Sequence, residues 1–371
     1  MSETLTIRNF GPIKDMTLEL RAVNILIGDQ GTGKSTVAKL LTVIKGVLDS
    51  SGIRFENTES IGNYFIKEFK SILEIYGISN YLMTDTYIEF NDSNASLKYE
   101  KSKIEVSEYS KEGNEKNTQV IAYIPAYREA TILLKDSLNA IAAVGAPLPK
   151  LFFIFGQNVI NAKKAKSLYN YYDLLEVKYK YVGDKDIIIM KNGKQITIEE
   201  ASSAINSAIP LLTVFDNAVE SNYPTNSRIS HRSNCPYIII EEPELNCFPT
   251  TQKKMMEHFI SKLKYETSIG FDYYCRLVIT THSPYILTSL NNMMYASLVG
   301  KDNPEATEKN VERKYWISPA DVSAYMLLSN GECENIIDKE GLIKAEKIDS
   351  VSAILNKDFN AIMDIELNIK E

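Results

Sequence analysis

Apolar and polar positions alternate from the start of the chain: Leu5 and Ile7, then, beyond Asn9-Phe10-Gly11-Pro12, Met16, Leu18 and Leu20. Period-two alternation broken by a Gly-Pro turn predicts two half-buried strands within residues 4–27. Val23-Asn24-Ile25-Leu26-Ile27 is a short apolar run that fits a buried strand, ended by Gly28. After Lys34 the period changes. Val37, Leu40, Leu41 and Ile44 fall at i, i+3, i+4 and i+7, one face of a helix. A strand, a glycine-rich loop and a helix therefore follow in that order.

Residues 49–118 mix Ser, Asn, Lys and Glu with short β-type runs such as Thr86-Tyr87-Ile88-Glu89-Phe90, and read as an irregular region with a small antiparallel sheet. Val120 to Ile124 is a buried strand closed by Pro125. Residues 130–175 read as helical, and 178–198 as a hairpin turning at Asn192-Gly193. A helix is predicted from Glu199 through Leu212, a Ser/Asn-rich loop over 220–235, buried strands at 237–240 and 277–281, and a small mixed tail from about 293. There is no internal repeat and no run of heptads for a coiled-coil arm.

At 371 residues the chain suits one large core with an inserted lobe, or two lobes, and its 44% hydrophobic content supports a sizeable core. A net charge of −7 argues against a general nucleic-acid coat but leaves a local basic patch open. Cys235, Cys247, Cys275 and Cys333 form no CxxC pair, which suggests neither a zinc site nor a disulfide framework and fits reduced thiols in a cytoplasm. No signal peptide or membrane-length apolar run is read.

Gly28-Asp29-Gln30-Gly31-Thr32-Gly33-Lys34-Ser35 matches GxxxxGK[ST] in full. Glycines let backbone N–H groups turn toward phosphate, and the following helix points its positive end at the same anion. Lys34 adds a full positive charge for the β- and γ-phosphates of ATP, and the Ser35 hydroxyl is a hard ligand for Mg²⁺. Thr36, next on the helix, is counted with the loop.

Tyr237-Ile238-Ile239-Ile240-Glu241-Glu242-Pro243-Glu244 is an apolar strand ending in carboxylates, where ligands of an open α/β sheet sit. Glu241 is assigned to Mg²⁺ and Glu242 to the attacking water. Leu277-Val278-Ile279-Thr280-Thr281-His282-Ser283-Pro284 is another buried strand with a polar end. His282 could meet the γ-phosphate or the water, although a lone histidine is more often structural. His231 and His258 are read as structural.

The order of phosphate loop, Tyr123-Ile124-Pro125-Ala126-Tyr127-Arg128, Glu-Glu-Pro-Glu and Thr-Thr-His-Ser-Pro resembles ABC-type ATPases of the OLD, SMC-like and RecF-like group, common in bacterial antiphage and DNA-repair systems. Ile7 to Ile13 looks like that group's first strands, which wrap the nucleotide base and bring in Asn9 and Phe10. The resemblance makes His282 a switch residue sensing the γ-phosphate. It also implies two heads sandwiching ATP, each site completed by the other's signature loop. The matching stretch is Ala201-Ser202-Ser203-Ala204-Ile205-Asn206, so Ser203 is carried over, with Ala204 and Asn206 where the family has Gly and Gln. Arg128 lies near where the family's glutamine loop belongs.

The fold implied is α/β, a P-loop ABC ATPase head with a mixed sheet and an inserted helical lobe. It has a nucleotide core in 1–48 and 237–292, a β-rich region in 49–129, a helical lobe in 130–220 and an α/β tail in 293–371. The function implied is an ATP-hydrolysing switch that dimerises or forms a higher oligomer on ATP, the ATPase subunit of an antiphage system with a separate effector. A RecF-like DNA-repair ATPase and a non-hydrolysing ATP-bound scaffold are the alternatives. Asp364-Ile365-Glu366 reads as a solvated face rather than a nuclease site. Lys163, Lys164, Lys166, Lys178 and Lys180, interleaved with Tyr169, Tyr171, Tyr172, Tyr179 and Tyr181, could track nucleic acid; the favoured reading is a solvated face with tyrosines packed inward.

Overall fold

In a computed structural model of the chain, residues 3–50, 58–93, 95–108, 121–134, 149–221, 236–267 and 270–344 are described. His231, most of the 220–235 loop and Asp364-Ile365-Glu366 lie outside them.

The amino-terminal strands β1 (Glu3–Phe10) and β2 (Ile13–Leu20) pair antiparallel around the Gly-Pro turn, with Leu5 opposite Leu18 and Ile7 opposite Met16. β3 (Val23–Gly28) leaves them for a second sheet. β4 (Leu82–Asn91), β5 (Ala95–Glu100) and β6 (Lys103–Glu108) extend the first sheet in the order β2-β1-β4-β5-β6. β7 (Ile121–Ile124) belongs to the central sheet. β8 (Leu168–Tyr171), β9 (Val177–Val182), β10 (Lys185–Met190) and β11 (Gln195–Thr197) make a separate meander. β12 (Tyr237–Glu241) is central, β13 (Lys264–Thr267) and β14 (Gly270–Tyr273) form a hairpin, and β15 (Arg276–Thr281), β16 (Val322–Leu327) and β17 (Cys333–Asn335) complete the chain.

The central sheet runs β17-β16-β3-β15-β12-β7, parallel except for the antiparallel edge strand β17. Alternation within its strands sends side chains to two different cores. Val23, Ile25, Ile27, Ile238, Ile240, Leu277 and Ile279 pack with the helices Ser203–Ser221, Pro249–Lys262 and Pro284–Val299. Leu26, Tyr237, Ile239 and Val278 face the opposite way, into a core shared with α1 (Lys34–Ser50), α2 (Thr58–Ile75) and the first sheet. The helix after the phosphate loop is thus held between two sheets. Lys45 of α1 pins these layers: it lies 3.5 Å from Glu3 and 3.1 Å from Asp92, over the rings of Phe90 and Tyr237.

Three expectations change. α2 occupies part of the region read as irregular; its buried stripe, Phe65, Phe69 and Leu73, is hidden in the sequence by half-buried Tyr64, Ile66 and Ile72 around it. Residues 168–171, read as helical, form β8 because Tyr169 and Tyr171 alternate inward against β9. The 178–198 hairpin has three strands and two turns. Asn192-Gly193 makes the second, while Gly183 and Asp184, both at positive φ (56° and 59°), make the first. The tail adds strands to the central sheet: β16 pairs with β3 along its whole length, Val322 with Val23 through Leu327 with Gly28. Among the described residues no helix is long and apolar enough to cross a membrane.

Candidate functional site

The loop between β3 and α1 is shaped by contacts only glycine permits. Gly28 has φ +151°, and a Cβ there would meet the Leu327 carbonyl oxygen at 2.4 Å. Gly33 has φ +99° beneath the β1–β2 turn, where a Cβ would lie 3.2 Å from Pro12 and 3.3 Å from Ile13. Thr32 Oγ1 donates to the Asp29 carbonyl at 2.9 Å, and Val37 N donates to the Gly33 carbonyl at 2.9 Å to begin the helix. Asp29, Gln30, Gly31 and Ser35 are exposed, whereas Thr32, Gly33, Lys34 and Thr36 are buried. Lys34 Nζ donates to the carbonyls of Gly28 and Asp29, both at 2.7 Å. Burial lowers the Lys34 pKa against the opposing charges of Glu242, Asp29 and Glu244.

Parallel register aligns the remaining groups with this loop. Glu241 sits opposite Thr280, and Thr281 opposite Ile27, one residue before Gly28. The carboxylates, His282 and the loop therefore share one carboxyl edge of the sheet. Glu241 has the parity of Tyr237 and Ile239, so its side chain projects on the α1 face. It is 4% exposed; Oε2 accepts from Ala126 N at 3.3 Å, and among the described residues no group lies within hydrogen-bond geometry of the buried Oε1. Tyr123 projects on the same face from the adjacent strand. Burial, then the nearby Glu241 charge, pushes its phenol well above the ordinary value.

Glu242 follows at φ +45°, uncommon for a residue with a Cβ. Its amide donates to the Thr280 carbonyl at 2.8 Å, and its Oε1 lies 3.6 Å from His282 Nε2. Two further residues set this pair, and the sequence assigned neither a role. Glu244 Oε1 accepts from Thr281 Oγ1 at 2.8 Å and from His282 N at 2.7 Å, fixing the backbone that carries the histidine. Arg128, fully buried, donates to main-chain carbonyls of Ser207, Pro125, Glu241 and Glu242. Burial pulls its pKa down to about 10. Its guanidinium is thus spent on the backbone rather than offered to a nucleotide. Glu244 was visible as the last letter of Glu-Glu-Pro-Glu; nothing in the sequence marks the acceptors of Arg128.

Other candidates stand apart. Ser203 is exposed at the start of its helix, on the sheet face opposite α1. The Phe10 side chain is 0% exposed, edge-on to Tyr81 in the core, and so is not presented to a ligand. Asn9, at φ +50°, bonds Asp85 at 2.8 Å. Three tyrosines of the lysine-rich stretch turn inward: Tyr169, Tyr171 and Tyr179 are buried, Tyr172 and Tyr181 are half-buried, and Lys163 is buried 2.7 Å from Asp186. His258 is half-buried, 2.7 Å from Asp216.

The donor set fits a magnesium ion. Glu241 presents a buried carboxylate oxygen with no partner among the described residues, a costly arrangement unless a cation or its water completes it, and the exposed Ser35 hydroxyl opens α1 on the same face.

A family model described as AAA ATPase domain matches residues 1–127 and 86–287. No curated protein matches the sequence. Among solved structures, an SMC head domain from Thermotoga maritima aligns at 10% identity and a TM-score of 0.41, over 90% of this chain and 98% of that one. An Smc head domain with an extended coiled coil, bound to the C-terminal domain of ScpA and derived from Pyrococcus furiosus, aligns at 10% identity and 0.44, over 98% and 99%. The recombination mediator protein RecF with ATP aligns at 10% identity and 0.40, over 90% and 99%. The family model spans the phosphate loop, both carboxylates and His282, and the chain belongs to the AAA ATPase domain family.

Proposed function

We propose that this chain binds ATP on Gly28–Thr36 and hydrolyses it slowly, using Glu242 to orient and deprotonate the attacking water. The observation that carries this reading is the convergence of Glu242 and His282, 3.6 Å apart, at the strand ends beside the loop. Loop amides and the α1 N-terminus bind the phosphates, and Lys34 exchanges its two carbonyl partners for phosphate oxygens. Mg²⁺ held by Ser35 and Glu241 would neutralise charge on the β- and γ-phosphates. Glu242 accepts the proton of the water, and the neighbouring His282 meets the γ-phosphate. Turnover and nucleotide binding of Glu242→Gln test this. Turnover should fall by about 10²–10⁴-fold with binding retained; a loss under threefold refutes the role.

Ser203, exposed on the face opposite its own loop, suits a contact with a second copy's nucleotide, making ATP a switch for assembly of two or more heads. The mass of Glu242→Gln in solution should then rise on adding ATP and Mg²⁺, and a mass indifferent to ATP refutes it. A cytoplasmic antiphage setting with a separate effector rests on the motif set alone. The RecF-like alternative is compatible with the same site; of the lysine-rich stretch it would use, Lys163 is buried against Asp186 while Lys164, Lys166 and Lys180 remain exposed.

A further inference from the structure

Among the described residues Arg128 is the largest fully buried side chain. Its Nε lies 3.0 Å from Ser207 O, Nη1 2.9 Å from Glu241 O and 3.3 Å from Pro125 O, and Nη2 2.9 Å from Glu242 O. Each of these acceptors is a main-chain carbonyl, and among the described residues no carboxylate bonds the guanidinium directly. Burying a cation in this way is expensive, and an apolar side chain of similar volume would serve packing better. The fork does something packing cannot. Two of its nitrogens hold the carbonyls of consecutive residues, Glu241 and Glu242, across the point where the backbone enters the left-handed region at φ +45°. The third grips the helix that begins at Ser203, on the opposite face of the sheet.

We propose that Arg128 is a positioning residue for Glu242, holding its backbone so that the carboxylate stays beside His282, and that it ties this turn to the Ser203 helix. The inference rests on the hydrolytic role of Glu242 proposed above. A planar fork binding separate carbonyls cannot be copied by a single ammonium, so Arg128→Lys should leave the nucleotide loop intact and misplace Glu242.

The test is a double-mutant cycle of Arg128→Lys and Glu242→Gln, measuring kcat, KM for ATP and nucleotide Kd well below each variant's unfolding temperature. Arg128→Lys is expected to lower kcat at least tenfold with KM and Kd within twofold, and to cost nothing further once Glu242 is Gln. If Arg128→Lys does not fold, Arg128→Gln, which sheds the buried charge and keeps donors, carries the same comparison. An unchanged kcat beside an inactive Glu242→Gln overturns the role of Arg128 alone. So does a loss that appears equally in Kd or adds in full to that of Glu242→Gln, since that is a merely structural effect. A fully active Glu242→Gln overturns the hydrolysis reading, and this inference with it.

Discussion

Replacing Glu244 by Ala should damage the site without altering a residue of the phosphate loop. The carboxylate accepts two hydrogen bonds through one oxygen, from Thr281 Oγ1 at 2.8 Å and His282 N at 2.7 Å. Bonds to a charged acceptor contribute about 1.5–3 kcal/mol each, and partial exposure here places them at the lower end, about 3 kcal/mol together. The other oxygen, Oε2, is buried without a partner, so deletion also relieves a desolvation cost of about 1 kcal/mol. The net expectation for Glu244→Ala is a loss of about 2 kcal/mol in urea-induced unfolding. Glu244→Gln retains an acceptor oxygen and should lose less than about 1 kcal/mol. The functional consequence is larger, because the freed amide is that of His282 itself. A displacement of about 1 Å in a catalytic group can cost about 10²-fold, so turnover of the Ala variant should fall at least tenfold, with affinity for ADP, which lacks the γ-phosphate, unchanged. Equal stability and turnover in the Ala and Gln variants would refute the reasoning, since it would mean that the acceptor oxygen does not hold the histidine's backbone.

Two further perturbations test the frame around the site. Gly28→Ala places a Cβ 2.4 Å from the Leu327 carbonyl, so β16 must move or the loop must open. ATP affinity should fall at least tenfold and stability by about 2–3 kcal/mol, and wild-type calorimetric binding would contradict this. Burial alone would raise the pKa of Asp216; His258 at 2.7 Å, Lys262 and the Tyr171 hydroxyl at 2.9 Å outweigh it and hold the carboxyl below its ordinary value. A depressed carboxyl contributes stability that is present above its unfolded value, about 4, and lost as pH falls through its folded value. Asp216→Asn should therefore be less stable than the unmodified chain at pH 7, with the gap narrowing below about pH 4. A gap independent of pH would refute the assignment.

The legible parts of this protein are those carried by local spacing. Alternation in Leu5–Ile7 and Met16–Leu20 and the change of period after Lys34 specify strand, loop and helix, because side-chain direction follows backbone period within a few residues. The glycines and Lys34 of the loop, and carboxylates placed just beyond a buried strand, likewise state their chemistry in their order. Meaning also leaked from pattern to role at Phe10: its place in a motif suggested a nucleotide contact, while its apolar ring was drawn into the core. What only the tertiary structure decided are relations between distant main-chain groups. β16 beside β3 makes the tail part of the nucleotide sheet, and Leu327 explains why Gly28 must be glycine. Arg128 selects carbonyls more than a hundred residues away, and a carbonyl is the same in every residue. The order of residues states which side chains bring chemistry to the sheet edge. Only the fold decided which backbone holds them there, because hydrogen bonds between remote peptide groups leave no periodicity or residue type to read.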